Sequence, residues 1–160
     1  MSDDQNQPAA VQQIHQHLTH DEHHHEIGDD GIVRAIICDS ERNHRMNFFQ
    51  FPADQNLLGL RIMNVLGGQD AGDREVLSAM AGLNGRMQGM KFCRNERSGR
   101  VDLELAVGFN GSEFCYEDFY DAMCTILGAE RRVLPVLMRI IFGGQTALEA
   151  LADMDRDTKA

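Results

Sequence analysis

Val101-Asp102-Leu103-Glu104-Leu105-Ala106-Val107-Gly108-Phe109 decides the fold. Its odd-numbered positions are apolar, whereas the even ones hold Asp102, Glu104, Ala106 and Gly108. A period of two sends these sets to opposite faces of a strand, so the stretch predicts a sheet with one covered and one wetter face. Residues 90–95 read as its hairpin partner, and Glu96-Arg97-Ser98-Gly99 between them reads as the turn.

Upstream of the hairpin the period changes. Val76, Met80, Leu83 and Met87 form one helical stripe, with Asp73 placed as N-cap, Glu75 in the first turn and Gly89 as the closing residue. Gly82 and Gly85 inside this helix cost about 1 kcal/mol each against Ala, and close packing on the sheet is the expected compensation. The glycine-rich 67–72 separates the helix from three strand-like segments: β-branched 32–39, 45–51 with Phe49 and Phe51 on one face and Met46 and Phe48 on the other, and 58–63 with alternating Leu58, Leu60 and Ile62. The turns between them fall at 40–43 and 52–56.

Further upstream, Val11, Ile14 and Leu18 predict an amphipathic helix over 9–26, ending before Gly28-Asp29-Asp30-Gly31. Downstream of Asn110-Gly111-Ser112, a helix bearing Phe119, Ala122, Met123, Ile126 and Leu127 is stopped by Gly128. A second helix over 132–142 takes Pro135 in its first turn, and a short one over 146–152 follows Gly143-Gly144. The order α-β-β-β-α-β-β-α predicts a two-layer α+β domain, a five-stranded antiparallel sheet with helices on one face. The expected division is an acidic, His-rich tail and helix at 1–31, the domain at 32–152 and a frayed end at 153–160.

The chain has 160 residues, of which 42% are hydrophobic, enough for a packed core. Its formal charge is −10, but the charge is uneven: −7 in residues 1–31, −1 in 32–144 and −2 in 145–160. No basic stripe is present to displace counterions from a phosphate backbone or to dock on an anionic bilayer, so nucleic acid and membrane are not expected partners. The opening Met-Ser-Asp-Asp lacks a secretory leader's basic and apolar regions, and no apolar run reaches about 20 residues. A cytoplasmic protein is expected. Cys38, Cys93, Cys115 and Cys124 form no C-x-x-C pair and read as buried, reduced thiols.

Several segments carry a family resemblance. Met46-Asn47-Phe48-Phe49-Gln50-Phe51-Pro52 looks like a second strand ending in proline. Leu83-Asn84, Met90-Lys91-Phe92 and Ser98-Gly99-Arg100-Val101 look like a helix-to-hairpin signature. Leu134-Pro135-Val136-Leu137 followed by Ile141-Phe142-Gly143-Gly144-Gln145-Thr146-Ala147-Leu148-Glu149-Ala150-Leu151 looks like a C-terminal helix, a glycine pair and a small terminal helix. Over residues 32–152 the chain thus resembles the YbjN-like proteins, bacterial proteins with the fold of type III secretion chaperones. The resemblance implies a homodimer that holds an extended partner segment against apolar surface. It brings no catalytic residues, and no enzyme is expected.

Two candidate sites stand beside the resemblance. Six of the 7 histidines lie in His15-x-His17-x-x-His20-Asp21-Glu22-His23-His24-His25. On a continuous helix His17, His20 and His24 would share one face, a spacing suited to zinc, nickel or copper, with Asp21 or Glu22 adding an oxygen. The competing reading is a solvated His-rich helix end, so no cofactor is expected, a divalent metal being the alternative. Met80, Met87 and Met123 fit core stripes, whereas Met46, Phe48 and Met63 fit either core or an adaptable partner-binding face. Nucleophile chemistry finds no support: Ser40, Ser78, Ser98 and Ser112 lie outside any G-x-S-x-G elbow, His44 reads as a surface residue, and phosphate-loop and dinucleotide motifs are absent.

Overall fold

The computed structural model describes residues 9–39, 45–54, 57–67, 73–108 and 114–157. The turns expected at 40–43 and 110–112, His44, Phe109 and most of the 67–72 run lie outside these residues. The elements are α1 (Ala9–His20), β1 (His24–Ile27), β2 (Val33–Asp39), β3 (Arg45–Phe51), β4 (Ala53–Asp54), β5 (Leu57–Leu66), α2 (Arg74–Asn84), β6 (Met90–Arg94), β7 (Val101–Gly108), α3 (Tyr116–Ile141) and α4 (Ala147–Asp157). This is an α+β chain with an antiparallel sheet, as expected. The sheet is larger than the predicted five strands: six lie in the order β1-β2-β3-β5-β7-β6, and the two-residue β4 pairs with β5 beside that path. The elements gather in two compact units, Met1–Met63 with Leu105–Cys124 and Asn64–Glu104 with Thr125–Ala160.

In the first unit, β1 is the strand missing from the expected order. The predicted helix over 9–26 stops at His20, where the His23 amide donates to the Leu18 carbonyl at 2.9 Å and Glu22 takes a left-handed φ of 58°. This six-to-one bond across a left-handed residue closes a helix even without glycine. The chain is then extended, and His24–Ile27 zips antiparallel onto β2, with His25 opposite Ala35 and Ile27 opposite Val33. Residues 9–27 are therefore integral to the unit, not an appendage: Val11, Ile14 and Leu18 are buried.

The β2–β3 register separates two faces. Val33 opposes Phe51, Ala35 opposes Phe49 and Ile37 opposes Asn47, and all six side chains are buried. The intervening Ile36–Phe48 and Cys38–Met46 pairs point the other way, because successive side chains alternate. At the β4–β5 corner the Gly59 amide donates to the Pro52 carbonyl at 2.8 Å, and a Cβ on Gly59 would lie 2.8 Å from that same oxygen. Backbone cannot yield there as a flexible side chain could. Gly59→Val is expected to cost about 1–3 kcal/mol by urea denaturation; an unchanged midpoint would contradict the close approach.

In the second unit, Asp73 caps α2 as expected, accepting hydrogen bonds from the Glu75 and Val76 amides at 2.7 and 3.3 Å. Gly82 compensates its cost by packing against α4 instead of the sheet: a Cβ there would meet Leu151 Cδ1 at 2.7 Å. Asn84 substitutes for a strand edge, accepting from the Phe92 amide at 2.7 Å and donating to its carbonyl at 3.2 Å. On β5, Asn64 has φ 56° and its amide donates to the buried Asp102 carboxylate at 2.8 Å. Burial slips phase there, from Ile62 to adjacent Val65 and Leu66, the mark of a bulge.

Two helical expectations change. Gly128 does not stop a helix, and Pro135 does not start one: α3 is a single 26-residue helix with Pro135 inside it. Its buried stripe, from Phe119 through Ile126 and Val133 to Ile140, outweighs the local cost of both breakers. Nor does the chain fray at 153. Thr146 and Glu149 form a reciprocal capping box, and α4 runs on to Asp157, which pairs with Arg139 at 3.0 Å. Among the described residues no helix is long and apolar enough to cross a membrane.

Candidate functional site

The face of β2 and β3 opposite the core carries the expected Met46 and Phe48. Met46 is 62% exposed and Phe48 is 51% exposed, which excludes their alternative reading as core. Met63 is half-buried on β5. Since Phe49 pairs with Ile62, the next antiparallel step brings Phe48 beside Met63. The half-buried Ile36 opposes Phe48 and the exposed Cys38 opposes Met46. The result is an apolar strip of Ile36, Phe48, Met46 and Met63. Ile36 and Cys38 escaped the sequence reading because the β2 alternation is masked by apolar residues on both faces.

The strip has a polar border. Arg34 forks onto Asp30 with distances of 3.0 and 2.6 Å, and this hydrogen bonding holds the Asp30 carboxyl down at about 2. The neighbouring pairs in register are Glu26 opposite Arg34 and Gln50 opposite Arg61. The strip can thus cover apolar side chains of a partner, with a polar edge to set its limit.

The expected buried thiols are corrected. Cys38, Cys115 and Cys124 are exposed and Cys93 is half-buried, and none of the four forms a disulfide; the Cys93 and Cys115 thiols donate to Glu104 and Asp118, each at 3.2 Å. Cys38 lies on the outer sheet face, Cys124 on the wet side of α3 and Cys115 just before that helix.

The predicted metal face is not assembled. Its premise was one continuous helix, but His17 and His20 end α1 and His24 lies on β1 opposite Ile36. His17 turns instead into an aromatic pocket, its ring centroid 5.7, 5.5 and 5.4 Å from those of Phe114, Tyr116 and Phe119. His20 Nδ1 stands 3.0 Å from Asp21, which also accepts the Tyr116 hydroxyl at 2.7 Å. Burial would raise the Asp21 pKa, but these hydrogen bonds from His20 and Tyr116 outweigh it and hold the carboxyl low. The same bond pushes the Tyr116 phenol up to about 12. Among the described residues no three His, Cys, Asp or Glu side chains converge for a metal ion.

His17 Nε2 is buried without a hydrogen-bond partner. Burial lowers its pKa, more than the Phe114 backbone and Asp21 raise it. A folded-state pKa below the unfolded one means that the unfolded chain binds the proton first. The stabilisation is present above the unfolded value of about 6.5 and is lost as pH falls through the folded value. His17→Phe should flatten this acid-side decline in thermal midpoint. A variant that loses stability between pH 7 and 5 as steeply as the wild type would contradict the assignment.

Comparison with known proteins gives little beyond this geometry. No family model matches the chain, and no curated protein matches it. One solved structure, the crystal structure of the ExsC-ExsE complex, is similar at 14% identity and a TM-score of 0.42, over 72% of this chain and 75% of that one.

Proposed function

We propose that the chain is a non-enzymatic, chaperone-like protein-binding module that holds an extended partner segment along the outer face of β2 and β3. The observation that carries this reading is the exposure of Met46 and Phe48 as registered neighbours of Ile36 and Cys38. Isolated surface apolar residues need no explanation, but an apolar strip rimmed by polar residues marks an interaction surface. Thioether and phenyl groups adapt to varied apolar side chains, so the strip suits partners recognised by pattern more than by one sequence. The resemblance to YbjN-like proteins supports the same reading and adds a homodimer as the working unit; the cysteine pattern favours the cytoplasm as its place. Light scattering should then give about twice the 18.0 kDa chain mass; a monomer at working concentration would remove the dimer from the proposal.

The binding test is an array of 15-residue peptides tiling the proteins of the same cell, probed with the wild type and a Met46→Thr/Phe48→Thr variant. Apolar-patterned peptides should bind the wild type and lose the variant. Equal binding by both proteins, or none by either, would count against the strip.

A further inference from the structure

The histidine segment holds a pair that the helical spacing did not predict. The reversal after α1 brings β1 back beside the helix, and His15 Nδ1 stands 2.8 Å from His25 Nε2. The rings meet edge-on, with centroids 4.8 Å apart and an interplanar angle of 62°. His25 Nδ1 lies 2.7 Å from the His23 carbonyl oxygen. A carbonyl only accepts, so His25 carries its hydrogen on Nδ1 and presents a lone pair at Nε2. In the metal-free chain His15 Nδ1 donates to that lone pair.

We infer that His15 Nδ1 and His25 Nε2 form a two-imidazole site for a divalent transition ion of the zinc class. The backbone carbonyl on His25 Nδ1 is the outer-shell partner that orients a metal-binding imidazole and fixes its tautomer. Zinc–nitrogen bonds of about 2.0–2.1 Å at a tetrahedral angle place two ligand atoms about 3.3 Å apart, so the pair must open by about half an ångström and each ring must swing by about 35° to turn its nitrogen from the other ring towards the ion. His15 is an exposed helix residue and can supply that movement. On binding, the His15 hydrogen moves from Nδ1 to Nε2, and both facing nitrogens become ligands. Two waters complete the coordination, one more than in an open zinc site with three protein ligands. His17, His20 and His24 are not part of the site. Its function is to clamp β1 to α1, and it is independent of the apolar strip on the other strands.

The test is zinc chloride titrated calorimetrically into the full chain, with imidazole nitrogen chemical shifts recorded alongside. The proteins are the wild type, His15→Ala, His25→Ala and His20→Ala/His24→Ala. An outer-shell partner alone is worth about 10–100-fold in affinity, so loss of either ligand should cost at least about tenfold. The wild type should bind one ion with shifts at His15 and His25, and the His20→Ala/His24→Ala variant should match it. Equal binding by all four proteins, or no binding by the wild type at millimolar zinc, would overturn the site. So would loss of binding in His20→Ala/His24→Ala alone. If His25→Ala disturbs β1, His15→Ala on the helix surface still decides the question.

Discussion

Phe119→Ala is expected to remove about 3–5 kcal/mol of stability, the usual cost of emptying a fully buried aromatic site. Phe119 is the residue at which the first unit's elements meet. Its ring centroid lies 5.6 Å from Phe51 of β3, 6.4 Å from Phe114 and 5.4 Å from His17 of α1. Each aromatic pair adds roughly 0.5–1.5 kcal/mol to the area term, and a cavity walled by a strand and two helical segments cannot collapse easily. Against a total stability of about 5–15 kcal/mol for an ordinary domain, this is a large fraction. Urea denaturation measures the loss, and hydrogen exchange should show α1 amides opening first, because His17 leans on the same ring. Phe119→Leu should restore much of the loss. A Phe119→Ala cost below about 1 kcal/mol would contradict the packing described.

Met46→Thr/Phe48→Thr should leave folding nearly unchanged and weaken partner binding at least about 30-fold. Full burial of a Phe or Met side chain is worth about 1.5–3 kcal/mol. Roughly half of each is already covered, with 62% and 51% of Met46 and Phe48 left exposed. Covering the remainder contributes about 1 kcal/mol per residue, and about 2 kcal/mol in total corresponds to roughly 30-fold in affinity. Thr keeps a β-branched residue in the strand, and surface substitutions of this kind usually stay within about 0.5 kcal/mol. Stability and binding therefore separate. A double variant that unfolds would place Met46 and Phe48 in a structural role, and one that binds peptides as the wild type does would remove them from the binding surface.

Legibility in the sequence followed how strongly each segment's own pattern outweighed its surroundings. Val101, Leu103 and Leu105 are buried as their alternation requires, and Asp73 caps α2 because an N-cap is a local interaction. Asp102, on the face read as wet, is buried because a long-range partner, the Asn64 amide, satisfies it. His24–Ile27 has no strand-forming composition; the neighbouring β2 edge makes it a strand, and no local signal could show that. Gly128 and Pro135 are true breakers by propensity, but the buried stripe of the 26-residue α3 overrides them. At the candidate site, period two sets Met46 and Phe48 on the face opposite Phe49 and Phe51 but leaves core and partner face open; their exposure decides it. Their neighbours Ile36 and Cys38 needed the register, as did the meeting of His15 with His25.

The most direct measurement places the photo-crosslinker p-benzoyl-phenylalanine at position 48 and, as a control, at position 97 in the exposed β6–β7 turn. Irradiation is carried out in the native cell and adducts are sequenced by mass spectrometry. The account predicts adducts from position 48 that map to short apolar segments of partner proteins, with none from position 97. No adducts from position 48, or equal labelling from both positions, would contradict it.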